Sequence, residues 1–112
     1  MAFRSAGIAS VTTSYTTLYT GPANYEAVVH SLYLSNSDTV NTYTVSVRIN
    51  IGGGVTAIPL VQNASIPPGS SLIFDKPINM KASDTIQVLA SAASVISAYA
   101  SILLTTADTV AP

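Results

Sequence analysis

The chain has 112 residues, of which 48% are hydrophobic and only 8% charged, with four basic and five acidic side chains and a net charge of −1. Globular chains carry about 25% charged residues, so this one lacks the basic footprint that nucleic acid or an anionic membrane surface requires. One Glu, two Lys and two Gln leave little to stabilise exposed helix faces, while 15 Ser and 13 Thr build the polar surface from hydroxyls.

The length fits one domain with one modest core. Residues 1–13 and 105–112 are small, polar and weakly patterned. They read as an N-terminal arm and a C-terminal tail around a domain at 14–104. Met1-Ala2-Phe3-Arg4-Ser5 has no apolar run of the signal-peptide type, and no apolar stretch is long enough for a membrane-spanning helix. There is no cysteine, so neither disulfides nor thiolate metal sites contribute.

A short strand is expected at 14–19, closed by Gly21-Pro22. The next covers 26–35, with Leu32 and Leu34 on one face and Ser31, Tyr33 and Ser35 on the other; Asn36-Ser37-Asp38 ends it. The clearest pattern runs over 40–51, where Tyr43, Val45, Val47, Ile49 and Ile51 alternate with Thr44, Ser46, Arg48 and Asn50. Period two over that length means one buried and one wet face. Gly52-Gly53-Gly54 supplies a reversal, and 55–61 returns as an edge or bulged strand because Pro59 lacks a ladder donor.

Ile66-Pro67-Pro68-Gly69 breaks the chain before a strand at 70–75. Residues 79–83 read as a link, and Asp84 as the cap entering a strand at 85–89. The Ala-rich stretch 89–93 is too short, with β-branched flanks, to count as helix. The last strand covers 95–104. It carries Ile96, Ala98, Ala100, Ile102 and Leu104 on one face, and Val95, Ser97, Tyr99, Ser101 and Leu103 on the other. Seven or eight short strands with regular turn signals predict an all-β antiparallel sandwich, jelly-roll or immunoglobulin-like. Its expected core holds Leu32, Leu34, Tyr43, Val45, Val47, Ile49, Ile86, Val88 and Ile102.

No catalytic, cofactor or metal constellation emerges. His30 is the only histidine, and without further ligands or a nucleophile it reads as a structural side chain. Glu26, Asp38, Asp75, Asp84 and Asp108 sit singly at strand ends and turns, with Asp38 and Asp84 explained as turn residues. The glycine run lacks the Lys-Ser/Thr of a phosphate loop. Six tyrosines without clustered basic residues point to a protein contact or the core rim rather than a base-stacking platform. An apolar-rich chain with so few charges is expected to cover much of its surface with neighbouring subunits, since lone monomers rarely expose apolar patches beyond a few hundred Å².

Four segments carry a resemblance: Tyr19-Thr20-Gly21-Pro22-Ala23; Val28-Val29-His30-Ser31-Leu32-Tyr33-Leu34-Ser35-Asn36; Ile66-Pro67-Pro68-Gly69-Ser70-Ser71-Leu72; and Ala82-Ser83-Asp84-Thr85-Ile86-Gln87-Val88. Over about residues 15–104 the chain resembles small β-sandwich virion structural proteins of tailed bacteriophages, of the capsid cement/decoration or neck/tail type. Ser83 stands where that pattern usually has Gly. The resemblance implies a non-enzymatic virion protein without cofactor, assembled in the host cytoplasm. A capsid cement or decoration protein bridging shell subunits is preferred over a tail, neck, baseplate or fibre component, and a carbohydrate-binding module is the alternative of another class. Expected partners are further copies of the chain, a trimer being favoured, and the major capsid protein or other virion proteins, with neither nucleic acid nor membrane. Expected subunit contacts are Tyr33, Tyr99 and Leu103, with the arm reaching a neighbour.

Overall fold

A computed structural model describes residues 2–52 and 56–106. Its strands are β1 (Ala2–Ile8), β2 (Thr16–Thr20), β3 (Tyr25–Asn36), β4 (Tyr43–Ile51), β5 (Thr56–Ile66), β6 (Ser71–Phe74), β7 (Ile78–Met80), β8 (Thr85–Ala90) and β9 (Ile96–Thr106). All pairings are antiparallel. One sheet runs β1-β9-β3-β6, with β7 also on β3; the other runs β2-β8-β4-β5. The fold is an all-β sandwich, as the spacing of apolar residues predicts.

The inner faces meet in one core. Val29, Leu32, Leu34 and Ile102 come from the five-stranded sheet, and Val45, Val47, Ile86 and Val88 from the four-stranded one. Val47 is inside and Arg48 is half-exposed on the other face. Of the expected core, only Tyr43 stays at the rim, where its hydroxyl donates to Asp38 Oδ2. The chain between β1 and β2 crosses from sheet to sheet, and fully buried Val11 plugs that end of the sandwich. There the Val11 N–H donates to the Ile96 carbonyl and the Ala90 N–H to the Thr12 carbonyl.

Two of the nine strands form where none was expected, and both owe their existence to a partner. Residues 2–8, inside the segment expected to be an arm, lie along β9 of the same chain from Ala2 opposite Leu104 to Ile8 opposite Ala98. Their sequence lacks aliphatic alternation because β1 is an edge strand with mostly exposed side chains. β7 forms where a link was expected; three residues are too few to show a period, and β3 sets their register. The final strand continues to Thr106, into the segment expected as a tail, and 107–112 lie outside the described residues. Residues 40–42 are loop rather than strand, because Asp38 Oδ1 accepts the N–H groups of Val40 and Asn41.

β5 is both an edge strand and bulged. Its register slips between Val45 and Val47 and again between Val47 and Arg48, where Pro59 falls opposite Arg48. A missing donor is harmless at such an interruption. β3 also bulges, between Val29 and Ser31, which leaves His30 as the extra residue. The bulge switches the inward parity, so Ala27 and Val29 are buried before it and Leu32 and Leu34 after it.

The turn motifs meet in two knots. Asn36 is 2% exposed. Its amide donates to the carbonyls of Asn41 and Ile66, its Oδ1 accepts the Asp38 N–H, and its backbone N–H reaches the Ser70 carbonyl. Ser-Asn and Ile-Pro-Pro-Gly-Ser-Ser are therefore one structural unit. At the other knot the Gly21 N–H donates to the Asp84 carbonyl and the Ser83 N–H to the Gly21 carbonyl. A Cβ at Gly21 would run into the Lys81 carbonyl oxygen, and Ser83 holds the left-handed φ of 71° that glycine adopts freely. Asp84, buried, accepts the Gly52 N–H on Oδ1 and the Lys81 N–H on Oδ2. Both Asp84 and Asp38 are thus turn residues.

Candidate functional site: the outer face of the five-stranded sheet

Strand alternation turns every second residue of β1, β9, β3 and β6 outward, and the register aligns these residues into rows across the sheet. The first row is Ser97, Ser35 and Ser71; the second is Gly7, Tyr99, Tyr33 and Ile73. The third is Ser5, Ser101 and Ser31, and the fourth is Phe3, Leu103, Val28 and, on β7, Asn79. Small rows and large rows alternate.

None of these positions carries Asp, Glu, Lys or Arg. Ile73, Tyr99 and Tyr33 are 52%, 49% and 39% exposed, and Phe3 reaches 73%, which is much apolar surface for four rows without a charge; Glu26 follows in the next outward row, opposite Thr105. In the first row Ser35 Oγ and Ser71 Oγ lie 2.8 Å apart. The Tyr99 ring leans over Gly7, close to where a Cβ would stand there. His30 is exposed in its bulge and stacks on Phe3, with ring centroids 6.3 Å apart and planes at 18°.

The expected contact residues Tyr33, Tyr99 and Leu103 all lie on this face. Tyr33 and Tyr99 are directly opposite each other, and Leu103 is two rows away, opposite Val28. Phe3 and Ile73 also belong to it, and periodicity missed both because their strands are short or edge-placed. One sequence signal was available: Ser31-Leu32-Tyr33-Leu34-Ser35 and Ser97-Ala98-Tyr99-Ala100-Ser101 share the pattern Ser-x-Tyr-x-Ser. Because β3 and β9 run antiparallel, each serine of one motif faces a serine of the other.

The opposite face of the sandwich is wired by polar side chains. Gln87 Oε1 accepts from Arg48 Nε at 2.8 Å and from Asn50 Nδ2 at 2.6 Å, while Gln87 Nε2 donates to Thr17 Oγ1 at 3.1 Å. The Arg48 guanidinium lies 3.8 Å from the Tyr15 ring centroid, a cation–π contact.

Among the described residues there is no cleft, and no group of three or more His, Cys, Asp or Glu that could hold a metal ion. At the Asn36 knot the Val40 N–H and then the Asn41 N–H hold the Asp38 carboxyl below its usual 3.8; desolvation opposes them less strongly, and the Tyr43 hydroxyl adds a smaller lowering.

No family model matches the chain, and no curated protein does. Two crystal structures, each of a pentameric capsid protein isolated from metagenomic phage sequences, are similar in fold. One has a TM-score of 0.49 at 20% identity and covers 88% of this chain and 59% of that chain. The other has a TM-score of 0.46 at 20% identity, with 91% of this chain and 61% of that chain covered. The chain thus spans about three-fifths of the length of either.

Proposed function

We propose that the chain is a non-enzymatic structural protein of a bacteriophage particle and, within that class, a capsid cement or decoration protein that bridges shell subunits. The observation that carries this is the outer face of the five-stranded sheet: apolar and hydroxyl-bearing, without a charge in four successive rows. Such a surface loses water cheaply, whereas each ion buried in a contact would carry a desolvation penalty of several kcal/mol. The phage setting rests on the resemblance of the turn motifs, which form the two knots of the fold. The function is adhesive: contact area is added between subunits and no bond is turned over.

Tyr33, Tyr99 and Leu103 are the proposed contact residues, and further copies of the chain are the first partners. Three copies is the number implied by the resemblance and two the number that a self-paired face would give; the mass of the purified assembly decides between them. The test of location is co-sedimentation of the purified chain with empty shells and, separately, with isolated tails. Retention on shells alone is expected; retention on tails alone would move the protein to a tail, neck or baseplate. Glycan binding that requires Tyr33 or Tyr99, without retention on either, would replace the particle role by that of a carbohydrate-binding module.

A further inference from the structure

We propose that the outer face of the five-stranded sheet pairs with the same face of a second copy of this chain, the Tyr33–Tyr99 ridge of each seated in the Ser31–Ser101 groove of the other. This names the partner of the contact surface described above and rests on that reading for its setting.

Three observations single out a second copy. The rows run small, large, small, large from the Ser97 row to the Phe3 row. A two-fold axis lying in the interface, parallel to the rows and midway between the second and third, places first over fourth and second over third. Every large row then meets a small one, so the face is its own complement, as an isologous contact demands. Interdigitation of this kind is how two sheets pack at about 10 Å.

Charge gives the second argument. A face paired with itself brings its own charges together, and like charges across an interface repel. The four rows have none to bring. The Ser35 and Ser71 hydroxyls already lie within hydrogen-bond distance, so burying their row strands fewer polar groups.

Area is the third. The fourteen positions of the four rows, on strands about 4.8 Å apart and in rows about 6.8 Å apart, make a face of about 450 Å² per copy. The pair buries about 900 Å², in the range of small, transient interfaces. A weak, reversible dimer follows, strengthened where a particle holds many copies together.

The experiment is sedimentation equilibrium of the full chain over a wide concentration range, for wild type, Tyr99→Glu and Ser101→Phe. Thermal unfolding at low concentration verifies that each is folded. Wild type is expected to dimerise, and Tyr99→Glu to raise the dissociation constant at least about tenfold. Ser101→Phe is the decisive variant, because it makes the surface more apolar while filling the groove. Weakened association by Ser101→Phe supports seated ridges. Association as tight as wild type or tighter means unspecific apolar adhesion and overturns the proposal. So does a wild type that stays monomeric, or a three- or five-membered ring indifferent to both variants. Shell co-sedimentation separates this idea from the one it rests on. Pairing without shell binding removes only the particle role, and shell binding by a strictly monomeric chain removes only the pairing.

Discussion

The two outer faces of the sandwich obey the same alternation rule and end in different states. On the β2-β8-β4-β5 side, Gln87 ties Thr17, Arg48 and Asn50 into one network, with Tyr15 under the guanidinium. On the β1-β9-β3-β6 side the outward rows hold serines, tyrosines and aliphatics, with aromatic and aliphatic groups left in solvent. One side ties its polar groups into a network within the chain, and its exposed aliphatics, Ile51, Ile58 and Leu60, sit along the β4 end and the β5 edge. The other leaves apolar surface uncovered, and such surface gains free energy only when something covers it. On the proposed reading, stability and assembly fall to opposite sides of a domain whose core is shared.

If that division holds, a cut in the network should cost folding free energy and leave assembly alone. The largest loss is expected for Gln87→Leu, about 2 kcal/mol, because buried Asn50 and half-buried Arg48 lose their shared acceptor. Denaturant titration measures it, and an unchanged midpoint would sink the contrast between the faces. Arg48→Ala should cost about 1 kcal/mol, since it removes one charge-assisted hydrogen bond and the contact with Tyr15 but strands no buried donor.

A turn belonging to neither face calibrates the scale. Ser83→Gly is expected to raise stability by about 0.5–1 kcal/mol, because glycine relieves the left-handed strain at φ 71° and gives part back as chain entropy. A drop in melting temperature would mean that the Ser83 side chain contributes something the turn geometry does not explain.

Acid should act at the end of the sandwich. Asp38 is held below 3.8 when folded, so its contribution is complete above that pH and disappears as pH falls through the lower folded value. Asp38→Asn should flatten the part of the acid unfolding curve below pH 3.8. A curve unchanged there would assign the acid sensitivity to another carboxylate. The smallest stability effect is expected on the uncovered face: Tyr33→Ser should cost less than about 1 kcal/mol, the worth of one cross-strand pair with Tyr99. A larger loss would show that this face, too, stabilises the monomer.

Local chemistry was enough to determine several parts of this protein. Alternation from Tyr43 to Asn50 decided which side of β4 faces the core, although Ser46 and Asn50 on the side expected to be wet are buried as well; Pro59 marked β5 as an interrupted edge, and Asn36-Ser37-Asp38 marked a turn. Alternation also placed Tyr33, Tyr99 and Leu103 away from the core. These features depend on side-chain period, a missing donor or a short polar side chain, all of which act within a few residues. The tertiary structure alone decided the rest. β1 and β7 are strands because β9 and β3 offer free ladder groups, and His30 became a bulge because β3 had to keep both Val29 and Leu32 inside. Register, a long-range property, set Tyr33 against Tyr99 and serine against serine. Two Ser-x-Tyr-x-Ser stretches more than sixty residues apart become one banded surface only when antiparallel pairing brings them side by side.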